Sequence, residues 1–369
     1  MSGVRTRGKD VRRYILDHID EFPKDISKKT AEKFRITRQA VNKHLRRLTE
    51  EKAITESGET RSRVYKLAPL SEWRKTYRYE EFRGSPALGE DIVWRDDILP
   101  VLGQVPDNVR NIWMHAFTEM FNNALEHSGG DTFMVEIKKT AATTEMFIAD
   151  NGVGIFRKIQ KALSLLDERH AVLELAKGKL TTDPSKHSGE GIFFTSRMFD
   201  EYAILSGGVH FSHEFGKDED WILEKAPQDG TTVYMKLNNH TSRTTKKVFD
   251  QFSSEEDDYQ FNKTVVPVKL AQYGNDQLVS RSQAKRLLAR VELFRIVIFD
   301  FKDVPTIGQA FADEIFRVFG RLHPEMELHA LHASPEVKRM IARAKSGAAA
   351  SDAGPAETSA PSPDGQKPA

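Results

Sequence analysis

The first 69 residues carry apolar positions at helical spacing and end in a predicted hairpin. Two helices are predicted from these positions, one over VRRYILDHIDEF and one over SKKTAEKF. A third is predicted over ITRQAVNKHLRRLTEEKAI, with Thr37 as its N-cap and an inward stripe formed by Val41, Leu45 and Leu48. The stretch ITESGETRSRVYKLAP then predicts two strands joined at a Ser-Gly turn.

A long helix is predicted further along, and three polar residues share one of its sides. The helix is expected over DNVRNIWMHAFTEMFNNALEHS, after Pro106 and before a pair of glycines. Glu119, Asn123 and His127 follow one another at steps of four, which stacks them in a row. Such a row predicts a metal and water site if it faces a pocket, and ordinary surface residues if it faces solvent.

Strands and glycine-rich turns follow the long helix. TFMVEIKKT and TEMFIAD predict paired strands, and the second ends at Asp150. In HSGEGIFF, Gly189 and Gly191 open a predicted helix whose free N–H groups are suited to phosphate oxygens. YAILSGG, VHFSHEF and GTTVYMKL predict the remaining strands of this domain.

The C-terminal part alternates strands with helices and then loses its large apolar residues. Between residues 263 and 345 this alternation predicts a small parallel or mixed sheet with helices packed on it. The Pro-rich stretch 346–369 predicts disorder. Residues 70–106 are interpreted as a connector that begins the central domain, and 239–262 as a linker.

Composition narrows the class of protein. A chain of 369 residues is too long for one ordinary domain, so two or three are expected. It contains no cysteine, which excludes disulfide frameworks, thiolate zinc sites and cysteine nucleophiles. No signal peptide or membrane-length apolar run is present, so a cytoplasmic protein with no membrane partner is expected.

The stretch DNGVGI, beginning at Asp150, has three interpretations on its own residues. It is a common surface turn; it is a metal loop, although the closing glutamate of a calcium loop is missing; or it is a nucleotide site. In a nucleotide site Asp150 accepts a hydrogen bond from a base amine, while Gly152 and Gly154 let backbone approach the ligand closely.

The first 69 residues are basic and resemble winged helix-turn-helix transcription regulators of bacteria. They hold 18 Lys and Arg against 10 Asp and Glu, and ITRQAVNKHLRRLTEEKAI carries most of the likeness. The resemblance implies that the third helix enters a major groove of double-stranded DNA while the hairpin touches phosphates. A protein-docking module with a solvated basic face is the alternative. The candidate DNA contacts are Arg38, Gln39, Asn42, Lys43, Arg46, Arg61 and Arg63.

Residues 107–238 resemble the ATP-binding domains of the GHKL superfamily, which includes gyrase-type ATPases, Hsp90 and bacterial sensor and anti-sigma kinases. EMFNNALEHS is similar to the N box, and DNGVGI and HSGEGIFF are similar to the two glycine boxes. Three motifs in this order are more specific than any one of them.

The resemblance implies ATP and Mg2+ as ligands and gives each motif residue a role. Glu119 is implied as the catalytic base, Asn123 as a ligand of Mg2+, and Asp150 as the acceptor for the adenine amine. The implied nucleotide-binding set also contains His127, Gly152, Gly154, Gly189 and Gly191. Between the glycine boxes lies a cation-rich lid, in which His187 is the best candidate for a phosphate contact because it lies next to the glycine turn.

Residues 263–345 resemble STAS-like domains, the fold of anti-anti-sigma factors. FDFKDVPTIGQAFADEIF carries the likeness. Where phosphorylatable members have serine after the position of Ile307, this chain has Gly308, Gln309 and Ala310. Phosphorylation at that turn is therefore not predicted, although Thr306 is a nearby hydroxyl.

Together these patterns predict an α+β multidomain protein. Its expected parts are an N-terminal winged helix (1–69), a connector (70–106), a GHKL-type α/β sandwich (107–238), a linker (239–262), a small α/β STAS-like domain (263–345) and a disordered tail (346–369).

Two functions are compatible with these parts. The first is regulation of the DNA-binding segment by ATP binding or hydrolysis, and the alternative is a Ser/Thr protein kinase similar to anti-sigma kinases. A regulatory protein partner is expected for either, and a homodimer is possible. A sensor histidine kinase is disfavoured, since residues 70–106 contain no histidine for phosphotransfer.

Overall fold

The chain, in a computed structural model, has a mixed α/β structure with several sheets, as expected for an α+β multidomain protein. The structure describes residues 2–59, 63–82, 89–181, 189–215, 220–253, 260–272 and 277–352. Two compact units divide the chain, and the boundary falls between Phe261 and Asn262. Among the described residues, no helix is long and apolar enough to cross a membrane.

Residues 2–68, the N-terminal segment, contain three helices and a hairpin. The elements are α1 (Ser2–His18), α2 (Ile26–Phe34), α3 (Arg38–Glu50), β1 (Ile54–Ser57) and β2 (Val64–Leu67). The predicted start of the third helix is confirmed, because the Thr37 hydroxyl accepts a hydrogen bond from Ala40 N at 3.2 Å. Val41, Leu45 and Leu48 are buried, as the apolar stripe predicts.

The sheet of the first unit has five antiparallel strands in the order β3-β4-β5-β7-β6. The strands are β3 (Ser71–Arg78), β4 (Thr132–Lys139), β5 (Thr143–Asp150), β6 (Glu201–Glu214) and β7 (Asp220–Asn238). Strand β3 lies in the segment interpreted as a connector that begins the central domain. Its residues pair with β4 along the full strand, from Ser71 opposite Lys139 to Arg78 opposite Thr132, so this part of the segment belongs to the sheet.

The helices of this unit after residue 89 pack on the sheet or on one another. They are α4 (Glu90–Val93), α5 (Leu99–Leu102), α6 (Asp107–Asn122), α7 (Ile155–Ala162), α8 (Glu168–Lys177), α9 (Gly191–Met198) and α10 (Thr245–Asp250). Side chains alternate between buried and half-buried along β4 and β5, so one face of the sheet carries the core. An aromatic cluster under α6 joins this helix to β3 and β4 through Tyr77, Phe121 and Phe133.

The N-terminal segment contacts the end of the sheet that lies opposite Asp150 along β5. Ala141, in the turn between β4 and β5, packs against the core of the segment. Asn238 Nδ2, at the end of β7, donates to Asp17 Oδ1 at 2.8 Å. Arg13 donates to the carbonyl oxygen of His240 at 2.9 Å. The basic segment is therefore docked on the sheet by both apolar and polar contacts.

The segment interpreted as a linker packs on α9. The ring centroids of Phe249 and Phe194 lie 4.2 Å apart, and those of Phe261 and Phe193 lie 4.6 Å apart. Phe261 is only 6% exposed. These rings make the described parts of residues 239–261 a component of the first unit.

The second unit has a parallel sheet of three strands in the order β10-β9-β8. Its elements are β8 (Lys263–Pro267), α11 (Arg281–Leu288), β9 (Ile296–Asp300), α12 (Gln309–Asp313), α13 (Gly320–Leu322), β10 (Glu327–Leu331) and α14 (Pro335–Asp352). This is the alternation that the sequence predicts.

The predicted disorder of residues 346–369 needs a correction. Helix α14 continues to Asp352, because three consecutive alanines, Ala348 to Ala350, favour helix. Residues 353–369 lie outside the described residues.

Replacing Tyr77 with Ala tests whether β3 belongs to the core. Tyr77 is 1% exposed and its hydroxyl donates to Asp97 Oδ2 at 2.8 Å. Truncating a buried aromatic ring costs about 3–5 kcal/mol, so the free energy of unfolding measured with denaturant should fall by about that amount. The exposed neighbour Thr76→Ala should stay within about 0.5 kcal/mol of the parent. A Tyr77→Ala variant as stable as Thr76→Ala would contradict this assignment.

Candidate functional site

A cavity of about 290 Å³ opens between α6, the end of β5 and the start of α9. Most residues that the sequence singled out in the central domain line it. They are Glu119, Asn123, His127, Asp150, Gly189 and Gly191. The cavity is close to the lower limit of typical small-molecule sites. Motifs that are separated by up to 72 positions thus meet at one place.

The row of polar residues begins with Glu119 on α6 and continues with Asn123 and His127 in a turn of a different helix type. Helix α6 ends at Asn122, and Asn123–His127 form a π-helical turn. Single π turns inside α-helices frequently occur at functional sites. All three members of the row line the cavity, so they do not simply face solvent.

Tyr79 supports this π-helical turn from below. Its hydroxyl lies 2.8 Å from the carbonyl oxygen of Ala124 and 2.6 Å from Ser128 Oγ. Burial raises the pKa of Tyr79 to about 12. The hydroxyl therefore remains protonated at neutral pH and continues to donate to the turn that carries Asn123.

Asp150 ends β5 with a largely buried carboxylate. Its Oδ1 accepts hydrogen bonds from Gly152 N at 2.9 Å and from Thr231 N at 3.2 Å. Burial raises the pKa of the carboxyl, while the hydrogen bonds from Gly152 and Thr231 oppose that shift. A carboxylate has about four lone-pair sites, so acceptor capacity remains for an amine donor in the cavity.

Gly152 and Gly154 shape the turn after β5 and are not part of the cavity wall. A side chain at Gly152 would overlap the carbonyl of Ser128. Gly154 has a φ of 92°, a conformation that L side chains rarely adopt, and it is the N-cap of α7. Both glycines therefore permit backbone to pack closely behind Asp150.

Gly189 and Gly191 bring the start of α9 to the cavity. Gly189 has a φ of 74°, and its carbonyl oxygen accepts from Leu180 N at 3.0 Å. A Cβ at Gly191 would overlap the carboxylate of Glu119. The acid on α6 thus lies directly against the first residue of α9.

The cavity wall also contains Thr231 and Lys158, which the sequence analysis did not single out. Thr231 accepts from Ile155 N through its hydroxyl at 3.0 Å. Lys158, on α7, donates from Nζ to the carbonyl oxygen of His127 at 2.9 Å. The threonine pair in GTTVYMKL could have indicated Thr231 as a polar site residue, because this strand was already assigned to the domain.

The candidate DNA contacts on α3 share one exposed face. Arg38, Gln39, Asn42, Lys43 and Arg46 are all exposed, opposite the buried stripe. Asn42 Oδ1 accepts from Ser27 Oγ at 3.0 Å, which links α3 to α2. In the hairpin, Arg63 lies 3.5 Å from Glu56. Arg61, and His187 of the lid, lie outside the described residues.

Within the described ranges, no group of three or more His, Asp or Glu side chains is arranged to hold a metal ion. Asn123 lies in the cavity wall, and its side-chain amide has one oxygen acceptor.

One comparison with known proteins finds a similarity in part of the second unit. Residues 283–338 match the family described as a STAS-like domain of unknown function (DUF4325). This stretch runs from α11 to α14. A search of the curated proteins found no match to the chain.

Proposed function

We propose that the chain is an ATP-binding regulator in which a GHKL-type domain controls a DNA-binding winged helix and a STAS-like interaction domain. The observation that supports ATP most directly is the half-buried carboxylate of Asp150 in the cavity wall. A half-buried acceptor held by two backbone N–H groups suits the exocyclic amine of adenine. An ionised phosphate at that position would be repelled.

The remaining cavity wall suits a triphosphate with Mg2+. Asn123 offers an amide oxygen to the ion, and Gly189 and Gly191 expose backbone at the start of α9. Glu119 lies against Gly191, where a base can activate a water or a hydroxyl nucleophile. Phosphoryl transfer requires mainly such positioning and charge neutralisation.

Control of DNA binding is supported by the contacts of the N-terminal segment. Strand β7 carries Thr231 at the cavity and Asn238 at the hydrogen bond to Asp17. Strand β5 runs beside it from Asp150 to Thr143, next to the packed Ala141. A change at the cavity therefore has a short, hydrogen-bonded path to the basic segment.

A protein partner is supported by the STAS-like match, since that fold serves protein contacts in the proteins that it resembles. A Ser/Thr kinase remains the second candidate, because Glu119 would act as base on either water or a partner hydroxyl. Incubation with labelled ATP, with and without DNA, separates the two: hydrolysis to free phosphate supports the first, and label on a co-purified protein supports the second.

Replacing Asp150 with Asn tests the adenine acceptor. The amide turns one acceptor into a donor that faces the adenine amine, so ATP affinity should fall by about 1–3 kcal/mol, or roughly fivefold to a hundredfold. Isothermal titration calorimetry measures it, with the exposed Asp229→Asn as matched control. Unchanged affinity in a folded Asp150→Asn protein would remove the adenine assignment.

Substitutions of Glu119 and Asn123 should have different effects on ATP binding and on turnover. Glu119→Ala removes a base and no metal ligand, so ATP should remain bound while turnover drops by about 10²–10⁴-fold. Asn123→Ala removes an oxygen ligand of Mg2+, so both binding and turnover should weaken. The exposed Glu126→Ala, on the same π-helical turn, should change neither. Hydrolysis at the parent rate by Glu119→Ala would exclude the proposed base.

The exposed face of α3 should bind duplex DNA electrostatically. Lys43→Ala and Arg46→Ala in the full chain should each weaken binding and lower the slope of log affinity against log salt by about one, if each cation contacts one phosphate. A fluorescence anisotropy titration at several salt concentrations measures this, with the exposed Arg110→Ala as control. Equal effects of all three substitutions would favour a non-specific charge effect over a DNA-reading helix.

A further inference from the structure

We propose that Lys158 binds the phosphate groups of the nucleotide, an inference that rests on the proposed ATP site. The residue lies on α7, and its side chain forms part of the cavity wall. The ammonium Nζ donates to the carbonyl oxygen of His127 at 2.9 Å. An ammonium has three donors, so two remain for a ligand.

The partner of Lys158 differs from those of Lys177 and Lys236 in the first unit. Lys177 is 1% exposed and pairs with Glu174 at 2.7 Å, and the half-buried Lys236 pairs with Glu201 at 2.9 Å. Lys158 forms no ion pair with any described residue. Lys139 also donates only to a described carbonyl oxygen, that of Leu102, but it does not line the cavity. Lys158 therefore combines an unneutralised charge with access to the cavity.

An anionic ligand would offset the electrostatic cost of this arrangement. Burial lowers the pKa of Lys158, because the charged form loses water without gaining a carboxylate. A phosphate oxygen would restore that interaction through a charge-assisted hydrogen bond. Neither an adenine ring nor a ribose hydroxyl supplies the missing negative charge, so the phosphates are the part of ATP that fits.

The hydrogen bond to His127 also fixes where the ammonium lies. His127 ends the π-helical turn that begins with Asn123, the proposed Mg2+ ligand. The cation on α7 and the amide on this turn are thereby held on adjoining parts of the wall. Together they would neutralise charge on the same polyphosphate.

The test compares Lys158→Met with Lys158→Arg in the full-length protein, using calorimetry with adenosine, ADP and Mg-ATP. Loss of one charge-assisted hydrogen bond should weaken ADP and ATP by about tenfold to a hundredfold, while adenosine affinity stays within about twofold. Lys158→Arg should recover part of the loss. Lys161→Met, an exposed lysine on the same helix, is the matched control and should match the parent.

The outcomes separate the two levels of the proposal. Parent-like ATP affinity in Lys158→Met would overturn the role of Lys158 and leave the ATP site standing. A parallel loss of adenosine and ATP affinity would also overturn it, because Lys158 would then only support the turn at His127. If the parent protein binds neither adenosine nor ATP, the proposed nucleotide site itself is overturned.

Discussion

The first unit depends on how closely backbone packs around the end of β5. Asp150 Oδ1 accepts from both Gly152 N and Thr231 N, and Gly230 N donates to the carbonyl oxygen of Gly152 at 2.8 Å. One half-buried carboxylate thus joins its own strand, the turn after it and the neighbouring strand β7. Burying the acid raises its pKa, and the site tolerates this because hydrogen bonds compensate.

The elements around that junction also contact the N-terminal segment and residues 239–261. Strands β5 and β7 reach the N-terminal segment, where Asn238 meets Asp17. Helix α9 is covered by the rings of Phe249 and Phe261, and Gly178, at the end of α8, admits the Phe261 ring because it lacks a Cβ. Elements that line the cavity therefore also hold the segments that precede and follow the domain.

Local pattern was enough to predict some of this arrangement. Three short-range features are present in the structure: the steps of four from α6 into the π-helical turn, the strand that ends at Asp150, and the N-cap of α3. Contacts between residues that lie far apart in the sequence could not be predicted from local pattern. Thr231 meets Asp150 only because β5 pairs with β7, and β3 joins the sheet only through its pairing with β4. The position of Lys158 in the cavity wall depends on the direction of α7 after the glycine turn. The spacing of apolar residues does not predict that direction.

The length of β5 is constrained because each end of the strand has a specific contact. Thr143 begins the strand beside the docked N-terminal segment, and Asp150 ends it at the cavity. Inserting one residue would turn every following side chain to the opposite face of the sheet, so the acid would leave the cavity. Inserting two would keep the faces but move the acid by about 7 Å. Surface loops tolerate insertions and deletions readily. We expect no insertion or deletion within β5 in a variant that keeps both the cavity and the contact with the N-terminal segment.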